Sequence, residues 1–160
     1  MDLYPSDKFW WMTNWLCILD RANFSVVKIE GIWGVSSYHK NKLMKAKPDD
    51  ICAFYLIGEG SKGKPAIAGI FKVTSNPFLE FSEIFQSKRS HSKQSEKELY
   101  PYRIRLIPIK IFEPELSFKE LIPNLNFIKN KIRYSGHLIG KTMREIPAED
   151  MDFIMSFQKA

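Results

Sequence analysis

The stretch GIWGVSSYHKNKLMK, residues 31 to 45, sets a tryptophan beside a run of cations. Trp33 lies between Ile32 and Gly34, and Lys40, Lys42, Lys45 and Lys47 follow before the next acid, Asp49. A planar apolar ring next to ammonium groups can hold a nucleobase by stacking and its phosphate by charge. The same tryptophan, preceded by an apolar residue and followed by glycine, also suits a core anchor, and both readings stand at this point. A second stretch, FIKNKIRYSGHLIGKTMR, residues 127 to 144, carries Lys129, Lys131, Arg133, Lys141, Arg144, one histidine and no acid. Phe127 and Tyr134 are interleaved with these cations. That pattern fits a nucleic-acid strand, and it fits a solvated basic loop with its two rings in the core.

Signals for catalysis are missing. There is no GxSxG, HExxH, phosphate-loop or dinucleotide signature. Asp49-Asp50 and Glu149-Asp150 read as a turn and a helix start, not as a general acid and base. The three histidines, His39, His91 and His137, have no Cys or His partner at zinc spacing. The expectation is a protein with no catalytic residues, no metal and no cofactor.

The formal charge of +6, from 24 Lys and Arg against 18 Asp and Glu, favours a polyanionic partner without dictating a fold. No apolar run approaches the ~20 residues that span a bilayer, and the N-terminus lacks a secretory pattern. A cytoplasmic protein with no membrane partner is therefore expected. Cys17 and Cys52 sit in apolar runs and read as buried free thiols; they could pair only if their strands are neighbours.

The elements that must carry these residues are short. NWLCILD (14–20), ICAFYLI (51–57) and AIAGIFKVTS (66–75) read as buried strands. Residues 20–31 suit a helix capped by Asp20 or Asn23 and stopped by Gly31. NPFLEFSEIF (76–85) suits a short helix, and QSKRSHSKQSEKE (86–98) a solvated loop. YPYRIRLIPIKIF (100–112) alternates as a long strand with Arg103 and Arg105 on its polar face, and Pro108 implies an edge or bulge. Ser117 and Glu120 have capping-box spacing. Residues 147–159 form the strongest helix pattern, with Glu149, Asp150 and Asp152 at its positive end. Several short strands with few helices suggest an α+β domain: a small, mixed, mostly antiparallel β-barrel with flanking helices.

The segments NWLCIL, IWGVSSYHKNKL, KPDDICAFYL, AIAGIFKVTSNPF, YPYRIRLIPIK and LNFIKNKIRYSGHLIGKTMREIPAEDMDFI, in that order, resemble the EVE domain, in particular its stand-alone prokaryotic type. The resemblance covers about residues 14–158, and implies a domain over 14–160 preceded by an N-terminal extension, 1–13. It implies a PUA-like fold related to YTH domains. It also implies non-catalytic binding of RNA or DNA through a modified or flipped base, held in an aromatic pocket with a basic rim. Carried over by position, it puts Trp15, Trp33, Gly34, Val35, Ser36, Asn41, Tyr55, Phe127 and Ser135 at the base. Arg103 and Arg144 come with it to the nucleic-acid backbone, and the basic runs add Lys40, Lys42, Lys129, Lys131, Arg133 and Lys141. Where eukaryotic-type members resemble GVRNYQARN, this chain has Ser36 and Ser37, which changes the hydrogen-bonding groups offered to a base. The alternatives are a nucleoside or nucleotide sensor using the same pocket, and an unrecognised nucleic-acid-modifying enzyme.

Overall fold

A computed structural model describes residues 12–58, 63–87, 97–138 and 140–157. Most of the expected N-terminal extension, residues 59–62, residues 88–96 of the expected solvated loop with His91, residue 139 and the last residues of the expected terminal helix lie outside these.

The apolar runs form β1 (Asn14–Leu19) and β3 (Ile51–Leu56), which pair in parallel with Trp15 opposite Cys52 and Cys17 opposite Phe54. Side chains alternate across a strand, so these two feed two different cores. Trp15, Cys17, Leu19, Cys52, Phe54 and Leu56 enter one; Leu16, Ile51, Ala53 and Tyr55 enter the other. Burial on both faces explains why both strands read as continuous hydrophobic runs. Cys17 and Cys52 are free thiols on neighbouring strands, and burial followed by the Cys52 contact pushes the Cys17 thiol well up.

Parallel strands need a crossover. It contains α1 (Arg21–Glu30), β2 (Ile32–Val35), a 3-10 turn (Ser37–His39) and the single-turn α2 (Lys40–Leu43). Asp20 caps α1 by accepting from the Asn23 amide at 2.8 Å, and Gly31, at φ 65°, stops it, as the sequence indicates. β4 (Ala66–Val73) pairs antiparallel with β3 and with β6 (Tyr102–Ser117). β6 is longer than expected because it serves three partners: β2, β4 and the two-residue β5 (Phe78–Leu79). Its register against β4 shifts beside Pro108, where an amide donor is missing. β7 (Met143–Glu145) completes the order β2-β6-β4-β3-β1-β7. All pairings except β1–β3 are antiparallel, so the expected mixed, mostly antiparallel sheet is what forms.

Two local expectations are corrected. Residues 76–85 form β5 and an extended segment instead of a helix, because pairing with β6 at Phe78–Arg103 and Leu79–Tyr102 overrides local propensity. Ser117 makes no side-chain cap on α3 (Phe118–Leu121); it ends β6, and the Phe118 amide donates to the Pro65 carbonyl instead. Asp50 and Asp150 do lie at a turn and at a helix start, as expected, but both are also buried hubs, which the sequence reading did not anticipate. Asp50, fully buried, accepts from the Thr13 and Lys47 amides, the Trp15 indole and the Lys47 ammonium. Asp150, in α4 (Ala148–Met155), accepts from the Asn126 and Phe127 amides, both at 2.8 Å. Among the described residues no helix is long and apolar enough to cross a membrane.

Candidate functional site

A cavity of about 350 Å³ opens where β1 ends, α1 begins and β2 runs into its 3-10 turn. Leu19, Asp20 and Asn23 form one side; Trp33, Gly34, Ser36 and His39 form the second. Phe85, Glu98 and Tyr100 close a third, and Ile18, Ile57 and Thr142 complete the lining. The volume lies at the lower end of the ~300–1,000 Å³ typical of ligand pockets, enough for one small ring system.

Trp33 resolves the question its neighbours raise: it is both core and wall. Only 2% of it is exposed and its ring meets Phe54 edge-on at 5.7 Å, yet it lines the cavity. Gly34 is required by a close approach. A Cβ there would run into the Tyr100 carbonyl oxygen and lie 2.9 Å from Arg103 Cγ. Gly34→Ala is therefore expected to push the Tyr100 wall outward and to cost about 1–3 kcal/mol, the usual range for overpacking; chemical denaturation measures it. Tyr100 itself has φ 49°, a left-handed conformation uncommon for a residue with a Cβ.

Arg103 is placed differently from the expectation. It is fully buried and is not on the phosphate-facing surface. Its Nε donates to the Tyr100 carbonyl, Nη1 to Glu80 Oε1 (3.1 Å) and Ser82 Oγ (2.8 Å), and Nη2 to the carbonyls of Ser82 and Leu99. The guanidinium also stacks 5.2 Å from the Phe85 ring. One side chain thus ties residues 80–85 to residues 99–100 and holds up the third wall. Asn23 helps from α1: its amide side chain donates to the Gln86 carbonyl and accepts from the Gln86 amide. The Glu98 carboxylate accepts from the Tyr100 amide at 2.9 Å.

Burial lowers the pKa of His39 below its ordinary value. The imidazole is therefore neutral at pH 7 beside the cavity it lines. Because the folded ring resists protonation, the unfolded chain binds the extra proton below about pH 6.5. Stability is expected to fall as the pH drops through that value, and His39→Gln to reduce the slope; urea melts across a pH series report it.

Of the nine residues expected at the base, the cavity gathers Trp33, Gly34 and Ser36. Val35 is buried in the first core beside them. Trp15 is sealed in that core, donating to Asp50 Oδ2 at 3.0 Å. Tyr55 and Phe127 are in the second core, across the sheet; Tyr55 packs on Phe118 at 4.8 Å. Burial, then Tyr134, raises the Tyr55 phenol to about 12. Asn41 and Ser135 are exposed on α2 and on the 3-10 turn Tyr134–His137, outside the cavity lining.

The cations divide likewise. Lys40 and Lys42 are exposed on α2, directly after the lining residue His39, and Lys40 Nζ lies 5.8 Å from the Tyr102 ring. Lys129, Arg133 and Lys141 are exposed. Lys131, expected on phosphate, donates instead to the carbonyls of Ile122 (3.1 Å) and Leu125 (2.6 Å). Arg144 stacks 4.7 Å from the Phe127 ring, and burial lowers its pKa. Sequence reading missed Asn23, Phe85, Glu98, Tyr100 and Thr142 as lining residues. They come from separate segments and share no motif; their only local signal is the unpatterned YPYR next to a polar stretch.

The EVE domain family model matches residues 13–157. A UPF0310 protein of Pyrococcus abyssi is 47% identical over 148 residues, covering 91% of this chain and 99% of that protein. A UPF0310 protein of Pyrococcus horikoshii is 46% identical over 147 residues, covering 89% and 97%. Among solved structures, human THYN1 in complex with DNA containing 5-methylcytosine superposes with a TM-score of 0.60 at 17% identity, covering 90% of this chain and 96% of that one. The Pho92 YTH domain in complex with m6A gives 0.61 at 12% identity, covering 100% and 88%. The sheet order described above is thus the PUA-like fold shared by these proteins, as expected from sequence. With a family model spanning nearly all of its length and relatives at almost half identity, this chain belongs to the EVE domain family.

Proposed function

We propose that this protein reads nucleic acid by admitting one extruded, methylated base into the cavity beside Trp33, without catalysis. The observation that carries this is the cavity itself: about 350 Å³, walled by Trp33, Phe85 and Tyr100, and followed along the chain by Lys40 and Lys42. Solved proteins of the same fold hold 5-methylcytosine DNA and m6A, which supports the reading. The two free thiols suit a reducing compartment such as the cytoplasm.

The energetics set what the cavity must do. Extruding a base costs a few kcal/mol, and stacking returns about 1–3 kcal/mol. A buried methyl adds roughly 0.8 kcal/mol, only about fourfold in affinity. Discrimination therefore needs a close fit and the polar groups of Ser36, His39 and Glu98 as well as apolar area. Exposed Lys129, Arg133 and Lys141 neutralise phosphates without reading sequence.

The test is a titration of labelled DNA and RNA strands carrying 5-methylcytosine, N6-methyladenine or the plain bases, across a salt series. Binding that prefers a methylated strand and weakens steeply with salt supports the proposal. A free methylated nucleoside bound as tightly as the strand, with no salt dependence, overturns it in favour of a small-molecule sensor; turnover of a strand overturns it in favour of an enzyme. Lys129→Gln, Arg133→Gln and Lys141→Gln combined are expected to weaken modified and plain strands equally and to flatten the salt slope. Loss confined to the modified strand would contradict that role.

A further inference from the structure

We infer that Tyr38 is a stacking platform for the nucleotide adjacent to the one in the cavity, an inference that rests on the reading above. Tyr38 lies in the 3-10 turn between Ser36 and His39, both of which line the cavity. Its side chain is 87% exposed, although tyrosine rings usually recover some packing. The ring meets the His39 imidazole edge-on, with centroids 4.9 Å apart. His39 is half-buried and lines the cavity, so the contact places the Tyr38 ring beside that wall.

The surroundings specify the partner. Exposed Lys40, Lys42 and Lys45 follow within the next seven residues, and no acid interrupts them. A protein partner seeking an apolar ring would have to bring acids to match three ammonium groups. A nucleic-acid strand brings a phosphate and a ring with every residue, so one chemistry satisfies both features. When a base leaves its stack to enter the cavity, its neighbour loses a stacking face. A ring at the lip can replace that face. Tyr38 would thereby stabilise the extruded state without touching the extruded base, and it would do so for any neighbouring base, because every base has a π-face.

The experiment uses the full chain and short labelled strands carrying 5-methylcytosine or N6-methyladenine, each intact or with an abasic site immediately 5′ or 3′ of the modified base. Wild type is expected to lose about tenfold in affinity when the abasic site is on one particular side. Tyr38→Ala is expected to lose about tenfold on the intact strand and nothing further on that abasic strand, while Tyr38→Trp keeps wild-type affinity. Its exposure means that the melting temperature of Tyr38→Ala should not move, and binding of the free methylated nucleoside should not change. Tyr38→Ala binding the intact strand as wild type does, or remaining as sensitive to the abasic site, overturns the inference while the reader function stands. A loss of free-nucleoside binding overturns it too, since Tyr38 would then be shaping the cavity. Failure of wild type to bind any strand removes the reader function and this inference together.

Discussion

Arg103→Met is expected to destabilise the protein by about 3–5 kcal/mol and to abolish strand binding even where the variant stays folded. The side chain is fully buried and satisfies the Tyr100, Leu99 and Ser82 carbonyls, Ser82 Oγ and Glu80 Oε1. A methionine fills similar volume but leaves those acceptors without a donor. Each buried acceptor stranded this way costs about 1–3 kcal/mol; the carbonyls of half-buried Leu99 and Tyr100 carry most of it, because Ser82 is exposed and can turn to water. Glu80 is partly exposed and can turn to water, so the upper end of a simple sum is not reached. Guanidinium chloride melts measure the loss. Arg103→Lys separates charge from geometry: an ammonium on a flexible stem cannot span residues 80, 82, 99 and 100 as the planar fork does. The lysine variant should therefore recover part of the stability and little of the binding. Wild-type affinity in Arg103→Lys would show that the third wall does not depend on this clamp.

Trp33→Ala is the second large effect, and it changes how the site must be tested. Read from sequence, this substitution is expected to weaken base binding and leave the protein folded. The structure places the indole in the core, 2% exposed and edge-on to Phe54. Truncating a buried tryptophan typically costs about 3–5 kcal/mol. For a domain of this size that corresponds to a melting temperature lower by about 6–20 °C. Calorimetry checks it, and a shift of only a degree or two would mean that the wall relaxes around the gap. Lost affinity in this variant would mix unfolding with lost stacking. Trp33→Phe keeps a ring against Phe54 and is the better probe of the cavity. Ser36→Ala tests polar recognition without entering the core.

The fold was legible where one local signal sufficed. Asp20 and Gly31 bound α1 because capping and a left-handed stop are properties of single residues. The runs at 14–19 and 51–56 read as buried strands because burial on two faces leaves no polar position. The misreadings occur where a distant partner decides. Residues 76–85 carry enough apolar side chains for a helix, but β6 and Arg103 pull them into an extended wall. Asp50 and Asp150 read correctly as a turn and a helix start, but their burial shows only once distant amides are found pointing at their carboxylates.

The site divides in the same way. From residue types alone come the family, the basic character and the grouping of Trp33, Gly34 and Ser36, because these lie within four residues of one another and line one cavity. The sequence by itself could not show that Tyr55 and Phe127 belong to the core on the opposite side of the sheet. Strand alternation says that neighbours along a strand part company, but only the packed sheet determines which side is hollow. Tertiary structure alone turned Arg103 from a presumed surface cation into the post that keeps the cavity open. A guanidinium can be buried only where carbonyls from several segments converge on it, and that convergence is a property of three-dimensional packing with no counterpart along the chain.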